Sequence, residues 1–157
     1  MPNFRWKKFS TNSPTTSAQL NDLGYLWADE GKNLGRALEM VQKAVAAEPE
    51  NRAYRDSLGW VYFKLGRFAE AVAELELAIK PEHSKAGDSK SDDKKADEPD
   101  GVILDHLGDA YAALGRKVDA VQVWRRAEAS FAKEDDQEKL AAVRKKIAAA
   151  ASKTDAK

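Results

Sequence analysis

One short pattern occurs three times in this chain and limits the folds that it can adopt. A Leu-Gly pair opens each copy, an aromatic residue follows three positions after the glycine, and a second glycine follows seven positions after the first. Two alanines seven positions apart complete each copy. A chain built from one repeated unit typically stacks its copies into a scaffold that presents a surface. The opening pairs are Leu23-Gly24, Leu58-Gly59 and Leu107-Gly108.

Apolar residues within each copy recur at the spacing of an amphipathic helix, and no long stretch alternates with a period of two. Ser13 is a plausible N-cap with Pro14 in the first turn, which predicts that the first helix begins at residue 14. These patterns predict an all-α fold. The predicted helices cover about residues 14–30, 34–47, 52–65, 68–79, 101–114, 117–132 and 135–150.

Three segments fall outside these helices. Residues 82–99 contain no Leu, Ile, Val, Met or aromatic residue, so they cannot bury enough apolar surface to offset the entropy lost on ordering. We expect a disordered, charged insertion there. We also expect a flexible, basic and aromatic leader over residues 1–13 and a flexible tail over residues 151–157.

Composition excludes several classes of function. The 26 basic and 26 acidic residues give a net charge of zero, without the basic excess typical of a nucleic-acid partner. The absence of cysteine excludes disulfides and thiolate metal sites. No apolar run reaches the ~20 residues of a membrane span, and no signal peptide is evident. The missing signal favours the cytoplasm, with the periplasm possible if the chain is a fragment.

Catalysis has little support in the sequence. No glycine-rich phosphate loop is present, and His83 and His106 are the only histidines. His106 has Asp105 and Asp109 as neighbours, but no second His or Cys completes a ligand set. A lone exposed histidine of this kind is usually part of a polar surface. We therefore expect no enzyme activity, no catalytic residues, no metal and no cofactor.

The three copies resemble the tetratricopeptide repeat, a helix-turn-helix unit of 34 residues with the pattern Trp-x2-Leu-Gly-x2-Tyr followed by Ala, an aromatic residue and Pro. The sequences of the three copies are similar to those of the C-terminal repeats of bacterial proteins with longer arrays. The resemblance implies an α-solenoid of three helix pairs over residues 14–133 plus a capping helix over 134–150. The repeats would cover about residues 17–50, 51–81 and 100–133, with small residues such as Gly24 where paired helices cross.

In this family the first helices of successive units line a concave groove that binds peptide segments. The groove positions here hold five aspartates against one lysine, together with three aromatic residues. Such a surface favours a basic partner that is partly apolar. The alternative is that these aspartates cap or solvate helices and that the aromatic residues cover gaps between units. The candidate groove residues are Asn21, Asp22, Tyr25, Asp29, Asp56, Ser57, Trp60, Phe63, Lys64, Asp105, His106 and Asp109.

The resemblance thus implies a non-catalytic protein-interaction scaffold whose partner is another protein or a peptide segment. The basic residues with which one subtype of the family holds a C-terminal carboxylate are missing, so we exclude that role. The alternative function is a structural protein that self-associates through its repeats or its N-terminal segment. Residues 4–9, with the sequence FRWKKF, could dock in the groove of the same or a neighbouring molecule, touch an anionic membrane, or be a plain leader.

Overall fold

The computed structural model describes residues 15–80 and 99–154, with the backbone alone described for residues 153–154. This part of the chain forms seven α-helices and no strand. The predicted leader over residues 1–13, the insertion up to residue 98 and residues 155–157 lie outside the described residues. The helices are α1 (Ser17–Glu30), α2 (Leu34–Ala47), α3 (Arg52–Lys64), α4 (Phe68–Ile79), α5 (Gly101–Ala113), α6 (Lys117–Glu134) and α7 (Gln137–Thr154).

Helix α1 begins later than its sequence suggested. The predicted start at Pro14, capped by Ser13, is wrong, because the helix begins at Ser17 after the extended N-cap Thr16. Thr16 Oγ1 accepts a hydrogen bond from the Gln19 amide at 3.2 Å, and Gln19 Oε1 accepts one from the Thr16 amide at 2.9 Å. This reciprocal capping box satisfies two backbone donors, and it needs a Glu or Gln three residues after the cap. The residue three positions after Ser13 is Thr16, so the sequence offers no Glu or Gln there.

Two later helices also end beyond their predicted limits. Helix α6 continues past residue 132 to Glu134, where Asp135 adopts a left-handed conformation with φ 57°. The Asp135 amide donates to the carbonyl oxygens of Phe131 and Ala132, which closes the helix in the manner usual for a left-handed cap. Helix α7 continues past residue 150 to Thr154.

The two helices of each pair cross closely at a glycine, as predicted. A Cβ atom added at Gly24 would lie 2.5 Å from Cγ2 of Val41. At Gly108 an added Cβ would overlap the indole ring of Trp124. A Cβ at Gly59 would likewise lie 2.6 Å from the side chain on the partner helix. Because glycine has no Cβ, the partner helix can fill this space with its own side chain.

The three pairs stack in order along the chain. Helix α1 packs on α3, and α3 packs on α5, so the first helices of the pairs form one layer. Helices α4 and α5 also pack together, so the third pair stacks on the second despite the intervening residues 81–98. Helix α7 packs on α6 and buries Leu140 and Val143. The all-α solenoid of three helix pairs plus a C-terminal helix is therefore confirmed.

Apolar and small side chains fill the spaces within and between the pairs. Each paired alanine of the repeat pattern is fully buried, for example Ala37 and Ala44. Phe131 and Leu107 are among the largest side chains with no exposed surface. None of the helices in the described part of the chain is long and apolar enough to cross a bilayer.

Candidate functional site

The layer formed by α1, α3 and the start of α5 encloses an open groove of about 610 Å³. Its walls come from the middle of α1 and the N-terminal halves of α3 and α5, so side chains from all three pairs meet there. We call this cavity the groove. It is lined by Asn21, Asp22, Tyr25, Leu26, Ala53, Asp56, Ser57, Asp100, Val102 and Ile103.

The sequence-predicted residues divide into two groups around this groove. Asn21, Asp22, Tyr25, Asp56 and Ser57 contribute to its lining. The remaining candidates lie outside the lining, nearer the C-terminal ends of the same helices or deeper between the pairs. Those residues are Asp29, Trp60, Phe63, Lys64, Asp105, His106 and Asp109.

His106 lies between the second and third pairs. Only 7% of the residue is exposed, so its assignment to an exposed polar surface is wrong. Its Nδ1 atom is 2.8 Å from Oδ1 of Asp56, which is also buried. Burial by itself lowers the pKa of His106, but the hydrogen bond to Asp56 and the charges of Asp56, Asp105 and Asp109 outweigh it, and the pKa is raised above its usual value.

Trp60 is part of the core between the pairs. Its ring stacks on His106 with centroids 4.1 Å apart and on Phe63 with centroids 4.9 Å apart. Its Nε1 donates to Oδ1 of Asp29 at 3.3 Å, and Lys64 Nζ lies 5.0 Å from the ring centroid. Replacing such a buried ring with alanine costs about 3–5 kcal/mol. Trp60 therefore cannot be substituted to test binding without also testing folding.

Asp105 and Asp109 are paired with a residue that the sequence had not indicated. Lys146 on α7 places Nζ 2.8 Å from Oδ1 of Asp105 and 2.9 Å from Oδ1 of Asp109. Burial lowers the pKa of Lys146, but its hydrogen bonds and the two carboxylates raise the pKa above its usual value. Burial likewise raises the pKa of Asp109, against the opposing effect of Lys146. Much of the predicted negative charge is thus compensated within the molecule.

The groove keeps its own unpaired negative charge. Within residues 15–80 and 99–154, no basic side chain forms an ion pair with Asp22 or Asp100, although Asp100 Oδ1 accepts from the Val102 amide at 2.7 Å as an N-cap. Tyr25 stays uncharged, since burial and the charges of Asp56 and Asp29 raise its pKa to about 12. Asp29 is exposed outside the groove lining and also forms no ion pair among the described residues, so negative charge remains there as well.

Two further features of the groove are an exposed apolar side chain and a buried hydrogen-bond acceptor without a donor among the described residues. Leu26 is 51% exposed although it is a large apolar side chain. Asn21 is only 8% exposed, and its Oδ1 accepts no hydrogen bond from the described residues. A buried acceptor without a donor costs about 1–3 kcal/mol. Leu26, Asp100 and Ile103 were not predicted as groove residues. The only signal for Leu26 was its position near Gly24, and the only signal for Asp100 was its position directly after Pro99.

The described residues contain no group of three or more His, Cys, Asp or Glu side chains that could hold a metal ion. The His106–Asp56 contact joins two buried groups, of which Asp56 also contributes to the lining of the groove. The groove lining combines carboxylates, an amide, hydroxyls and apolar side chains.

Comparison with known proteins places these features in a family. Residues 54–80, which span α3 and α4, match the family model described as tetratricopeptide repeat. A protein of Pseudomonas aeruginosa named as TPR repeat-containing is 36% identical over 75 residues. That match covers 46% of this chain and 13% of the relative, so the chain corresponds to a small part of the relative's length.

Solved structures share the fold at low sequence identity. The first TPR domain of the human RPAP3 protein has a TM-score of 0.65 at 22% identity, over 92% of this chain and 100% of that domain. The first TPR of Spaghetti (RPAP3), described as bound to the HSP90 peptide SRMEEVD, has a TM-score of 0.62 at 19% identity, over 90% and 98% of the two chains. Residues 54–80 thus match a tetratricopeptide repeat, and the described part of the chain shares the solenoid fold of the compared TPR domains.

Proposed function

We propose that this chain is a non-catalytic protein-interaction scaffold and that its groove binds a basic, partly apolar peptide segment of another protein. The observation that carries the proposal is the combination of unpaired carboxylates and an exposed leucine in one concavity. Asp22 and Asp100 form no ion pair with a described basic side chain, and Leu26 lines the same groove with half of its surface exposed.

Charge supports the basic half of this proposal. Three of the five predicted aspartates, Asp56, Asp105 and Asp109, are already engaged with His106 or Lys146. Asp22 and Asp100 line the groove without an ion pair among the described residues, so their carboxylates can attract a basic peptide. Complementary charge mainly increases the association rate and excludes wrong partners.

Apolar surface supports the other half. Leu26, Ala53, Val102 and Ile103 face the groove together with the half-buried ring of Tyr25. Apolar and aromatic contacts near the centre of an interface supply most of the binding energy when water is excluded around them. The related RPAP3 domain is described with the peptide SRMEEVD, whose three acidic residues would be repelled by the carboxylates found here.

Fluorescence anisotropy with two labelled peptides tests the proposal. A peptide of sequence Lys-Leu-Trp-Lys-Lys-Leu should bind, and its counterpart Glu-Leu-Trp-Glu-Glu-Leu should bind at least 10-fold more weakly. Asp22→Lys and Leu26→Ala should each weaken binding of the basic peptide about 5- to 10-fold, which corresponds to roughly 1–1.4 kcal/mol. Asp100→Asn should weaken it while keeping the N-cap oxygen of α5.

Glu39→Lys provides the matched control, because Glu39 is exposed on α2 and is not part of the groove. It makes the same charge change as Asp22→Lys and should leave affinity nearly unchanged. Equal affinity for the two peptides, or equal effects of Asp22→Lys and Glu39→Lys, would reject the groove as the binding site. A chain that binds neither peptide but grows in mass with concentration would instead support self-assembly.

A further inference from the structure

We infer that residues 4–9 of this same chain, Phe-Arg-Trp-Lys-Lys-Phe, dock in the groove of their own molecule and compete there with any external peptide. We call residues 4–9 the N-terminal segment. The inference rests on the proposed function, since it names an occupant for the same groove. The segment belongs to residues 1–14, outside the described part of the chain.

The chemistry of the segment matches what the groove leaves unsatisfied. Arg5, Lys7 and Lys8 carry three positive charges within six residues. The groove offers Asp22 and Asp100, neither of which forms an ion pair with a described basic side chain. Two phenylalanines and one tryptophan of the segment can cover the exposed part of Leu26, about half of its surface.

Asn21 gives an independent indication of a missing hydrogen-bond donor. Its side chain lines the groove, is more than nine-tenths buried and has an unpartnered oxygen, while its Nδ2 donates only a long bond of 3.3 Å to Asp22. Rotation of this amide would turn its oxygen towards a ligand. A peptide backbone, a cationic side chain or the indole N–H of Trp6 can supply the donor.

Chain length allows the segment to reach the groove. Residues 10–16 connect it to Ser17, where α1 begins. Seven extended residues span up to roughly 23–25 Å at 3.3–3.6 Å each. Asp22 lies five residues into α1, about 8 Å along the helix axis at 1.5 Å per residue. The chain can therefore turn back at Thr16 and place the segment alongside α1 in the opposite direction.

A tethered segment competes strongly even if its intrinsic affinity is low. A short flexible linker gives an effective concentration in the millimolar range. A segment with a Kd of about 100 μM as a free peptide would then occupy the groove roughly nine-tenths of the time. An external peptide would bind the full chain about 10-fold more weakly than a chain in which the segment cannot dock.

The test compares three forms of the protein by anisotropy with a labelled peptide of residues 2–12. The forms are the full chain, a variant lacking residues 2–9, and the full-length variant Arg5→Glu, Lys7→Glu, Lys8→Glu. Both variants should bind the labelled peptide about 10-fold more tightly than the full chain. Adding Asp22→Lys to the deletion variant should remove this gain, whereas adding Glu39→Lys should not.

The outcomes separate this inference from the proposed function. Equal affinity of all three forms for the labelled peptide overturns the cis docking. If the deletion variant binds Lys-Leu-Trp-Lys-Lys-Leu but not the peptide of residues 2–12, the groove function stands and the inference fails. If the deletion variant binds neither peptide, both fail. A full chain that is dimeric by light scattering, with a monomeric deletion variant, overturns docking within one molecule.

Discussion

The contact between His106 and Asp56 is a buried charge pair that joins residues 50 positions apart. Both side chains are close to one-tenth exposed, so water screens their interaction only weakly. Asp105 and Asp109 add negative charge around the imidazole from its own helix, and Tyr25 and Trp60 contribute rings from the neighbouring helices. This contact therefore links the second and third helix pairs, and its strength depends on whether His106 is protonated.

This proton makes folding stability dependent on pH. The pKa of His106 is raised in the folded chain, so its stabilising contribution is complete below the unfolded pKa of about 6.5 and is lost as pH rises through the folded value. We expect the free energy of unfolding in urea to decline from pH 6 towards pH 9. Tyr25 does not interfere, since its pKa is about 12.

The variant His106→Gln isolates this effect, because glutamine can still donate a hydrogen bond to Asp56 but does not titrate. Its stability should vary less between pH 6 and pH 9 than that of the unchanged chain. Parallel pH profiles for the two proteins would show that His106 does not carry the dependence.

At the scale of the helix, α7 contributes more than an apolar face. Leu140 and Val143 cover the end of α6 and the core. Lys146 in addition crosses to α5 and holds Asp105 and Asp109, which are both about four-fifths buried as side chains. The last helix thus compensates charge on the first helix of the preceding pair.

Removing the lysine should therefore destabilise the chain. Lys146→Met leaves two partly buried carboxylates close together without a cation, and we expect a loss of about 1–3 kcal/mol in urea denaturation followed by circular dichroism. Lys145→Met is the matched control, because Lys145 is exposed on the same helix and should change stability by less than about 0.5 kcal/mol.

Adding Asp105→Asn and Asp109→Asn to Lys146→Met tests the electrostatic explanation. Neutral amides no longer repel one another, so these changes should recover part of the lost stability. If they only add to the loss, packing of the lysine stem rather than its charge accounts for the effect.

The whole molecule is a linear array in which each pair contacts its neighbours. In such arrays stability is approximately a sum of unit and interface contributions, and damage in one unit spreads through the interfaces. Between the second and third pairs the interface includes the His106–Asp56 contact, the Trp60 stack and a 2.6 Å hydrogen bond from the Tyr111 hydroxyl to Glu76. We expect these pairs to unfold together.

Gly108→Ala tests this coupling. The added Cβ would overlap the ring of Trp124, and overpacking of this kind costs about 1–3 kcal/mol. Hydrogen exchange should become faster not only in α5 and α6, where the change lies, but also in α3 and α4. Faster exchange confined to α5, α6 and α7 would mean that the array unfolds pair by pair.

Gly35→Ala supplies the comparison. A Cβ at Gly35 has open space around it on α2, and alanine is favoured over glycine in a helix by roughly 0.5–1 kcal/mol. This variant should leave exchange unchanged or slow it slightly.

The sequence predicted contacts within a pair better than contacts between pairs. Gly108 and Trp124 are close in sequence, so the repeat spacing alone indicated where their helices cross. Lys146 and Asp105 are 41 positions apart, and their contact depends on how α7 is placed against the stack. Spacing also indicates which face of a helix a residue lies on but not how deeply it is buried, which is why His106 was expected at the surface.

The same limit applies to the candidate site. The prediction that Asp22 and Tyr25 lie close together came from their spacing around Gly24, and both residues line the groove. The sequence did not predict that the negative charges of Asp56 and Asp109 are compensated, because those contacts depend on the angle between successive helix pairs. The predicted acidic surface is consequently smaller than five aspartates suggested, because Asp56, Asp105 and Asp109 are engaged with His106 or Lys146.

The stack of Trp60 on His106, with ring centroids 4.1 Å apart, also has an optical consequence. A protonated imidazole in contact with an indole ring accepts an electron from its excited state and quenches the emission. Trp60 fluorescence should therefore be dim while His106 holds its proton and brighten when that proton leaves. The chain contains its own spectroscopic reporter, placed at the joint between its second and third helix pairs.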